Sequence, residues 1–253
     1  MRTIITLFTV VFATAIIAPM VIVARLLRFP DGPHSFYQWA MHTWARTLVK
    51  AAGVKLRVHG AEHIVNDRGA IYAANHVSWF DIFAIASVLP SYSFVAKSEL
   101  RRIPVFGWGA QSAGIVFLDR ENRKAAFASY KVAALEVERG RSVVVCPEGT
   151  RGRDYHLRPF KKGPFVLAIA AQAPIVPTLV YGALEVMGKG SLVVRSGAID
   201  VHFLEPIETA GYDYDHRHEL MELVWHRLAD LMEAEYGVHT GERPVAREKE
   251  RSA

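Results

Sequence analysis

Ala70-Ile71-Tyr72-Ala73-Ala74-Asn75-His76-Val77-Ser78-Trp79-Phe80-Asp81 runs from a short apolar segment into a polar junction. The first five residues are bounded like a buried strand, and Ile82 to Leu89 is long and apolar enough for a helix. A histidine and a carboxylate therefore fall at a strand-to-helix junction, where α/β proteins place their sites. On one continuous helix, residues five apart lie ~140° apart around the axis, so this imidazole and carboxylate would not meet. If the helix starts at Ser78, His76 stays on the preceding loop and can fold back over a first turn that holds Asp81. That contact would orient the imidazole and stabilise its protonated form, as a general base requires. Ser78 followed three residues later by Asp81 is equally a capping box, worth about 1 kcal/mol to a helix start. The junction alone supports catalysis and capping alike.

Outward from this stretch, the 253 residues are 51% hydrophobic with a formal net charge of +5. That length admits one large domain, or a smaller domain with membrane-seeking segments. The basic balance points to anionic partners, among them nucleic acid, phospholipid head groups and phosphorylated substrates. The single cysteine, Cys146, excludes an intramolecular disulfide and any multi-cysteine metal site, and it ends the apolar run Val143-Val144-Val145 as a buried hydrophobe would. Ile4 to Ala24 is almost wholly apolar; as a helix it would span ~30 Å, the hydrocarbon thickness of a bilayer. The run continues well past Ala13-Thr14-Ala15, whereas a signal peptide's apolar region is usually only ~7–15 residues, so residues 1–30 read as an uncleaved anchor. Residues 31–53 follow as an amphipathic segment with Phe36, Trp39, Ala40, Trp44, Leu48 and Ala51 at helical spacing. Such a face either packs on a core or lies along a bilayer surface.

From Gly53 the pattern becomes that of an α/β domain over residues 54–236. Strand-like runs recur at Val54–Val58, Ala70–Ala74, Ser93–Ala96, Ile115–Leu118, Ser142–Cys146, Ile175–Val180, Leu192–Arg195 and Ile199–Leu204. Helical stretches fall at Asp81–Leu89, Arg123–Glu138, Phe165–Gln172 and His216–Tyr236. Residues 237–253 are charged, lack a core face and read as a polar tail. Three further junctions carry chemistry: Gly114-Ile115-Val116-Phe117-Leu118-Asp119-Arg120, Val145-Cys146-Pro147-Glu148-Gly149-Thr150-Arg151, and Ala173-Pro174-Ile175-Val176-Pro177. Arg120 and Arg151, each just past a strand, are placed to grip a phosphate bidentately, and Lys97 after Ser93–Ala96 adds a point charge.

The order of these pieces resembles the glycerolipid acyltransferase family, in particular the 1-acylglycerol-3-phosphate O-acyltransferases. N-H-x-x-x-x-D is matched by Asn75, His76 and Asp81, and G-x-[IV]-F-[IVL]-x-R by Gly114, Phe117 and Arg120. [FV]-P-E-G-T-R is matched from Pro147 to Arg151, and V-P-[IV]-[VI]-P by Pro174, Ile175, Val176 and Pro177. Cys146 stands where Phe is usual, Gly152 where Ser is common and Ala173 where Val is expected. The resemblance covers about Val54 to Val180. It implies an α/β fold, a mixed sheet flanked by helices, behind an N-terminal membrane-anchoring helical segment.

The activity it implies is transfer of a fatty acyl group from coenzyme A or acyl carrier protein to a lysophospholipid hydroxyl. The acyl thioester is a substrate, and no cofactor or metal is called for. His76 would be the general base and Asp81 its orienter, with the oxyanion held by backbone N–H groups at the helix start after His76. Lys97, Arg120 and Arg151 would bind the acceptor's phosphate, and Glu148, Gly149 and Thr150 belong to the acceptor site. The implied partners are lysophospholipid, membrane lipid and acyl carrier protein, not nucleic acid. The implied location is the inner membrane, with the site at its cytoplasmic face. Two other chemistries fail on sequence. Ser112 is followed by a strand-like run where a nucleophile elbow needs a helix, and His218-Glu219 meets Glu222 where H-E-x-x-H needs a second histidine. A tethered lipid-binding protein without catalysis would use the anchor and the basic charge, but has no need of an oriented base.

Overall fold

A computed structural model describes residues 1–119 and 123–240. Helix α1 (Arg2–Leu26) is followed by α2 (Phe36–Ala51), and a seven-stranded sheet then alternates with helices. The strands are β1 (Val54–His59), β2 (Ile71–Ala74), β3 (Tyr92–Lys97), β4 (Val116–Leu118), β5 (Ser142–Val145), β6 (Ile175–Tyr181) and β7 (Gly197–Phe203). The remaining helices are α3 (Trp79–Val88), α4 (Phe106–Ser112), α5 (Arg123–Glu138), α6 (Gly163–Ala171), α7 (Ala183–Val186) and α8 (Arg217–Tyr236).

The sheet order is β1-β7-β6-β2-β5-β3-β4. Five adjacent strands, β6, β2, β5, β3 and β4, run parallel; β7 turns against β6, and β1 lies parallel to β7. The sheet is therefore mixed and flanked by helices, as expected. Parallel strands covered on both faces read as unbroken apolar runs rather than alternating ones. Ile71–Ala74 and Ser142–Val145 are buried at every position. Because the five strands are parallel, their carboxyl ends share one edge of the sheet. His76 follows β2, Lys97 ends β3, Asp119 follows β4 and the Pro147–Arg151 segment follows β5, so topology alone gathers these junctions. Arg120 lies outside the described residues.

Helix α2 packs between α1 and α3 and buries Tyr37, Ala40, Ala45, Leu48 and Val49. Gln38, off the predicted apolar face, is also buried. Its side chain donates to Tyr92 O at 3.0 Å and accepts from Tyr92 N–H at 3.0 Å, standing in for a strand partner where β3 begins. Helix α4, between Val105 and Ala113, was not anticipated by the sequence reading; it ends at Ser112, directly before β4, the helix-then-strand order opposite to a nucleophile elbow. The expected strand Leu192–Arg195 does not form. Val194 N–H donates to Thr3 Oγ1 and Arg195 N–H to Val186 O, so this backbone is satisfied by α1 and α7 instead of a sheet partner. Cys146 is half-buried rather than buried.

Candidate active site

Ser78 is the N-cap of α3, and its Oγ accepts from Phe80 N–H at 3.1 Å. His76 therefore lies outside the helix, two residues before the cap. Its Nδ1 is 2.9 Å from Asp81 Oδ2, and the same oxygen accepts from Val77 N–H and Ser78 N–H, each at 2.7 Å. A carboxylate only accepts, so Nδ1 carries the proton and Nε2 is left as the basic ring atom. The capping box and the His–Asp pair are thus one arrangement, not alternatives. Asp81 is fully buried, and among the described residues its Oδ1 has no hydrogen-bond partner. The carboxylate's charge is consequently concentrated on three N–H donors at a single oxygen. The engagement also corrects one expectation: the N–H groups of residues 77, 78 and 80 serve the cap, and so are not open to an oxyanion.

The turn after β5 fastens the histidine loop from both sides. Glu148 Oε1 accepts from His76 N–H at 2.8 Å, and Gly152 N–H donates to His76 O at 2.6 Å. Burial pushes the Glu148 carboxyl up to about 7, against the backbone N–H groups of His76 and Arg158, which favour its charged form. Glu148 is buried beneath the loop and holds it. Gly149 has φ +74° and closes the turn by donating to Cys146 O at 3.0 Å, while Thr150 is exposed.

Arg151 is half-buried, its guanidinium 5.0 Å from the centre of the Trp79 ring, the first residue of α3. Its carbonyl accepts from Arg158 Nη1 at 2.9 Å and Lys189 Nζ at 2.7 Å. Lys97 is exposed and ion-paired with Glu99. The structure therefore brings His76, Asp81 and Glu148 together through direct contacts, with Arg151 beside them on Trp79 and Gly149 in the turn that follows Glu148. Thr150 is joined to them by chain continuity, and Lys97 only by its place on the same sheet edge.

Four contributors were not singled out as site residues from sequence. Asn75 clamps the end of β2 to β6, its amide donating to Val180 O at 3.0 Å and accepting from Val180 N–H at 2.7 Å. Arg158 and Gly152 act as above. Tyr155 donates to Glu185 at 2.6 Å, accepts from Gly182 and Leu184 N–H, and stacks on Tyr181 at 4.3 Å. Asn75 was visible in the first motif and Gly152 directly after the third; Arg158 and Tyr155 had no local signal. Gly114 of the second motif has φ +94°, and a Cβ there would sit 2.4 Å from Arg141 Nη1, so its place in the motif is structural.

Residues 55–181 match the family model described as Acyltransferase, which is half of the chain. The chain belongs to the acyltransferase family. It is 34% identical over 206 residues to the putative 1-acyl-sn-glycerol-3-phosphate acyltransferase acl-2 of Caenorhabditis elegans, covering 80% of this chain and 68% of that one. It is 32% identical over 184 residues to the chloroplastic 1-acyl-sn-glycerol-3-phosphate acyltransferase BAT2 of Brassica napus, covering 72% of this chain and 53% of that one. The chain thus spans between about half and two thirds of these relatives' lengths. Among solved structures, the 1-acyl-sn-glycerophosphate acyltransferase PlsC of Thermotoga maritima superposes with a TM-score of 0.71 at 26% identity, covering 92% of this chain and 97% of that one. An acyltransferase fold with an N-terminal apolar helix is what both sequence and topology present.

Proposed function

We propose that this acyltransferase moves an acyl group from a coenzyme A or acyl carrier protein thioester to the free hydroxyl of 1-acylglycerol-3-phosphate, giving phosphatidic acid at a membrane surface. The observation that carries the reading is the His76 Nδ1 to Asp81 Oδ2 contact of 2.9 Å, which fixes the tautomer and leaves Nε2 to take a proton. A thioester carbonyl is already electrophilic; what the reaction lacks is a nucleophile, because an alcohol attacks poorly until a base removes its proton. The acceptor oxygen bonds to the carbonyl carbon as Nε2 takes the hydroxyl proton. The tetrahedral species then collapses with cleavage of the C–S bond, and the imidazolium returns that proton to the departing thiolate. A positioned base contributes typically ~10²–10⁴-fold, and the buried Asp81 charge stabilises the imidazolium between the two steps. The step asks for no cofactor and no acyl-enzyme, so neither Ser78 nor Cys146 serves as nucleophile.

Arg151, stacked on the first residue of α3, is assigned to the acceptor phosphate, with Lys97 at the end of β3 as a further cation on the same sheet edge and Arg120 of the second motif joining them on the strength of its sequence match. A basic chain with a 25-residue apolar helix, long enough to cross a bilayer, suits a membrane-resident acceptor. The same reading assigns the site to the cytoplasmic face of the inner membrane.

The test is an assay of the full-length protein with a panel of lysophospholipids, acyl-CoA and acyl carrier protein donors. Transfer should be fastest to 1-acylglycerol-3-phosphate and abolished in His76→Ala. Arg151→Ala should raise KM for the phosphate-bearing acceptor more than for the donor, by the equivalent of about 1.5–3 kcal/mol for a charge-assisted bond. Transfer that survives His76→Ala, or equal KM effects on both substrates, would remove the base or the phosphate assignment respectively.

A further inference from the structure

The segment between α7 and β7, Met187-Gly188-Lys189-Gly190-Ser191-Leu192-Val193-Val194-Arg195-Ser196, is the one stretch where the sequence promised a strand and the structure built an exposed loop. Its connections run in two directions. Toward the site, Met187 O accepts from Ser78 Oγ at 2.6 Å, and Lys189 Nζ donates to Arg151 O at 2.7 Å. Toward the N-terminus, Val194 N–H donates to Thr3 Oγ1 at 3.0 Å, while Thr3 Oγ1 lies 3.3 Å from Val194 O. One loop therefore touches the cap of the catalytic helix, the Arg151 backbone and the first turn of α1.

At its tip, Leu192 is 69% and Val193 50% exposed, although the next residue, Val194, is buried. Two adjacent branched aliphatic side chains held in water by an ordered loop forgo the favourable transfer from water that would normally cover them. The segment carries no acidic residue, and Lys189 and Arg195 flank the apolar pair. The helix turn bonded to it continues the same character: Ile4, Leu7, Phe8, Val11 and Phe12 of α1 are exposed.

From this we propose that the 187–196 loop is an interfacial docking element whose Leu192 and Val193 enter a lipid surface beside α1, with the exposed Arg195 toward anionic head groups, and which thereby sets the height of the His76 site above that surface. The inference rests on α1 as the membrane element and extends it to a segment whose bonded residue, Val194, is 191 residues from Thr3 in sequence. Lipid is the occupant because the exposed pair directly precedes Val194, which is bonded to the first turn of the outwardly apolar α1, and is followed by the exposed Arg195 in a segment without acidic residues, the amphipathic composition of an interfacial anchor. Since the loop is bonded to both Ser78 and Arg151, its depth is transmitted by hydrogen bonds to the cap of the catalytic helix and to the Arg151 backbone.

The full-length chain with Cys146→Ser would carry a single polarity-sensitive fluorophore, at Leu192→Cys in one sample and Phe8→Cys in another. Each is diluted from detergent into vesicles of phosphatidylethanolamine and phosphatidylglycerol. Both reporters should shift to the blue and be quenched by lipids brominated near the head group. A response at position 8 without one at 192 overturns the docking loop and leaves the α1 anchor standing; silence at both removes the anchor and the loop together. Separately, the double variant Leu192→Ser/Val193→Ser should lose about tenfold in rate on acceptor presented in vesicles, in proportion to the apolar surface withdrawn. Its rate on a short-chain acceptor dissolved as monomers should stay at the wild-type value. Equal losses on both acceptors would make the loop a support for the catalytic turn and overturn the proposal. A wild-type chain inactive on both acceptors would count against acyl transfer, while the fluorescence result would still decide the docking.

Discussion

Asp81 performs two tasks with one oxygen: it closes the cap of α3 through Ser78 N–H and fixes the imidazole of His76 through Nδ1. Asp81→Asn separates them. The amide oxygen still accepts from the two backbone N–H groups, so thermal stability should fall by no more than about 1 kcal/mol, the scale of one cap. The negative charge that stabilises an imidazolium is gone, and kcat should fall by about 10²–10⁴-fold. Near-normal kcat in this variant would reduce the carboxylate to a cap. Glu148 yields a prediction of a different kind. Its folded-state value of about 7 lies above its ordinary 4.5 because it is buried. The folded chain therefore holds that proton more tightly than the unfolded chain. The stability this contributes is complete below about 4.5 and is lost as pH rises through about 7. Glu148→Gln keeps an acceptor for His76 N–H but cannot ionise. The melting temperature of the variant relative to wild type should therefore climb between pH 5 and pH 7.5, as measured by thermal denaturation across buffers. A constant difference over that range would mean that Glu148 is ionised throughout.

At the scale of elements, the parallel centre of the sheet was legible because strands buried on both faces leave nearly continuous apolar runs, and Ile71–Ala74, Val143-Val144-Val145 and Ile175–Tyr181, broken only by Thr178, are such runs. The junctions that follow them were legible too, since polar residues at strand ends interrupt those runs abruptly. Helix α4 was not, because Phe106-Gly107-Trp108-Gly109 carries two glycines and no apolar period. Its helicity comes from tertiary packing. A Cβ on Gly109 would lie 2.5 Å from Ala18 Cβ, so α4 and α1 meet through backbone-close contact that no local pattern announces. Likewise, Arg158 and Tyr155 enter the site through hydrogen bonds spanning seven to thirty residues, and 192–195 looked like a strand because its apolar run carries no sign that α1 and α7 take its hydrogen bonds. The Gly109 contact predicts that Gly109→Val forces α4 away from α1. Overpacking at such a contact costs typically 1–3 kcal/mol. The loss should appear as earlier protease cleavage around residues 103–113 in the full-length protein, with the sheet's own unfolding little changed. Unaltered cleavage would show that the two helices separate readily.

On the scale of the whole molecule, α1 is stitched to the domain along its length rather than projecting from it. Thr3 pairs with Val194, Thr14 Oγ1 accepts from Trp44 Nε1 at 3.0 Å, and Arg25 donates to Ser112 O. Just beyond the helix, Asp31 is ion-paired with both Arg25 and the buried Arg141, which also binds Glu136 at 2.5 Å. The buried residues of α1 are mostly small, Thr6, Ala13, Ala18, Val21 and Ala24, as close helix packing requires, whereas its large side chains face outward. Phe8 and Phe12 stack on each other at 5.9 Å on that outer side. Moving such a side chain from water into lipid yields roughly 1.5–3 kcal/mol each, so binding should be governed by these outward residues and not by charge alone. Washing membranes with alkaline carbonate, or with 1 M salt that collapses electrostatic attraction, should leave the protein in the pellet. The double variant Phe8→Glu/Phe12→Glu should move into the supernatant under carbonate while retaining its melting temperature in detergent, because neither side chain is part of the packed stripe. Release of the wild type by carbonate would exclude α1 as an anchor. Retention of the double variant would shift the burden of binding to other exposed apolar residues, of which Trp39, Trp108 and Leu192 are the next to substitute.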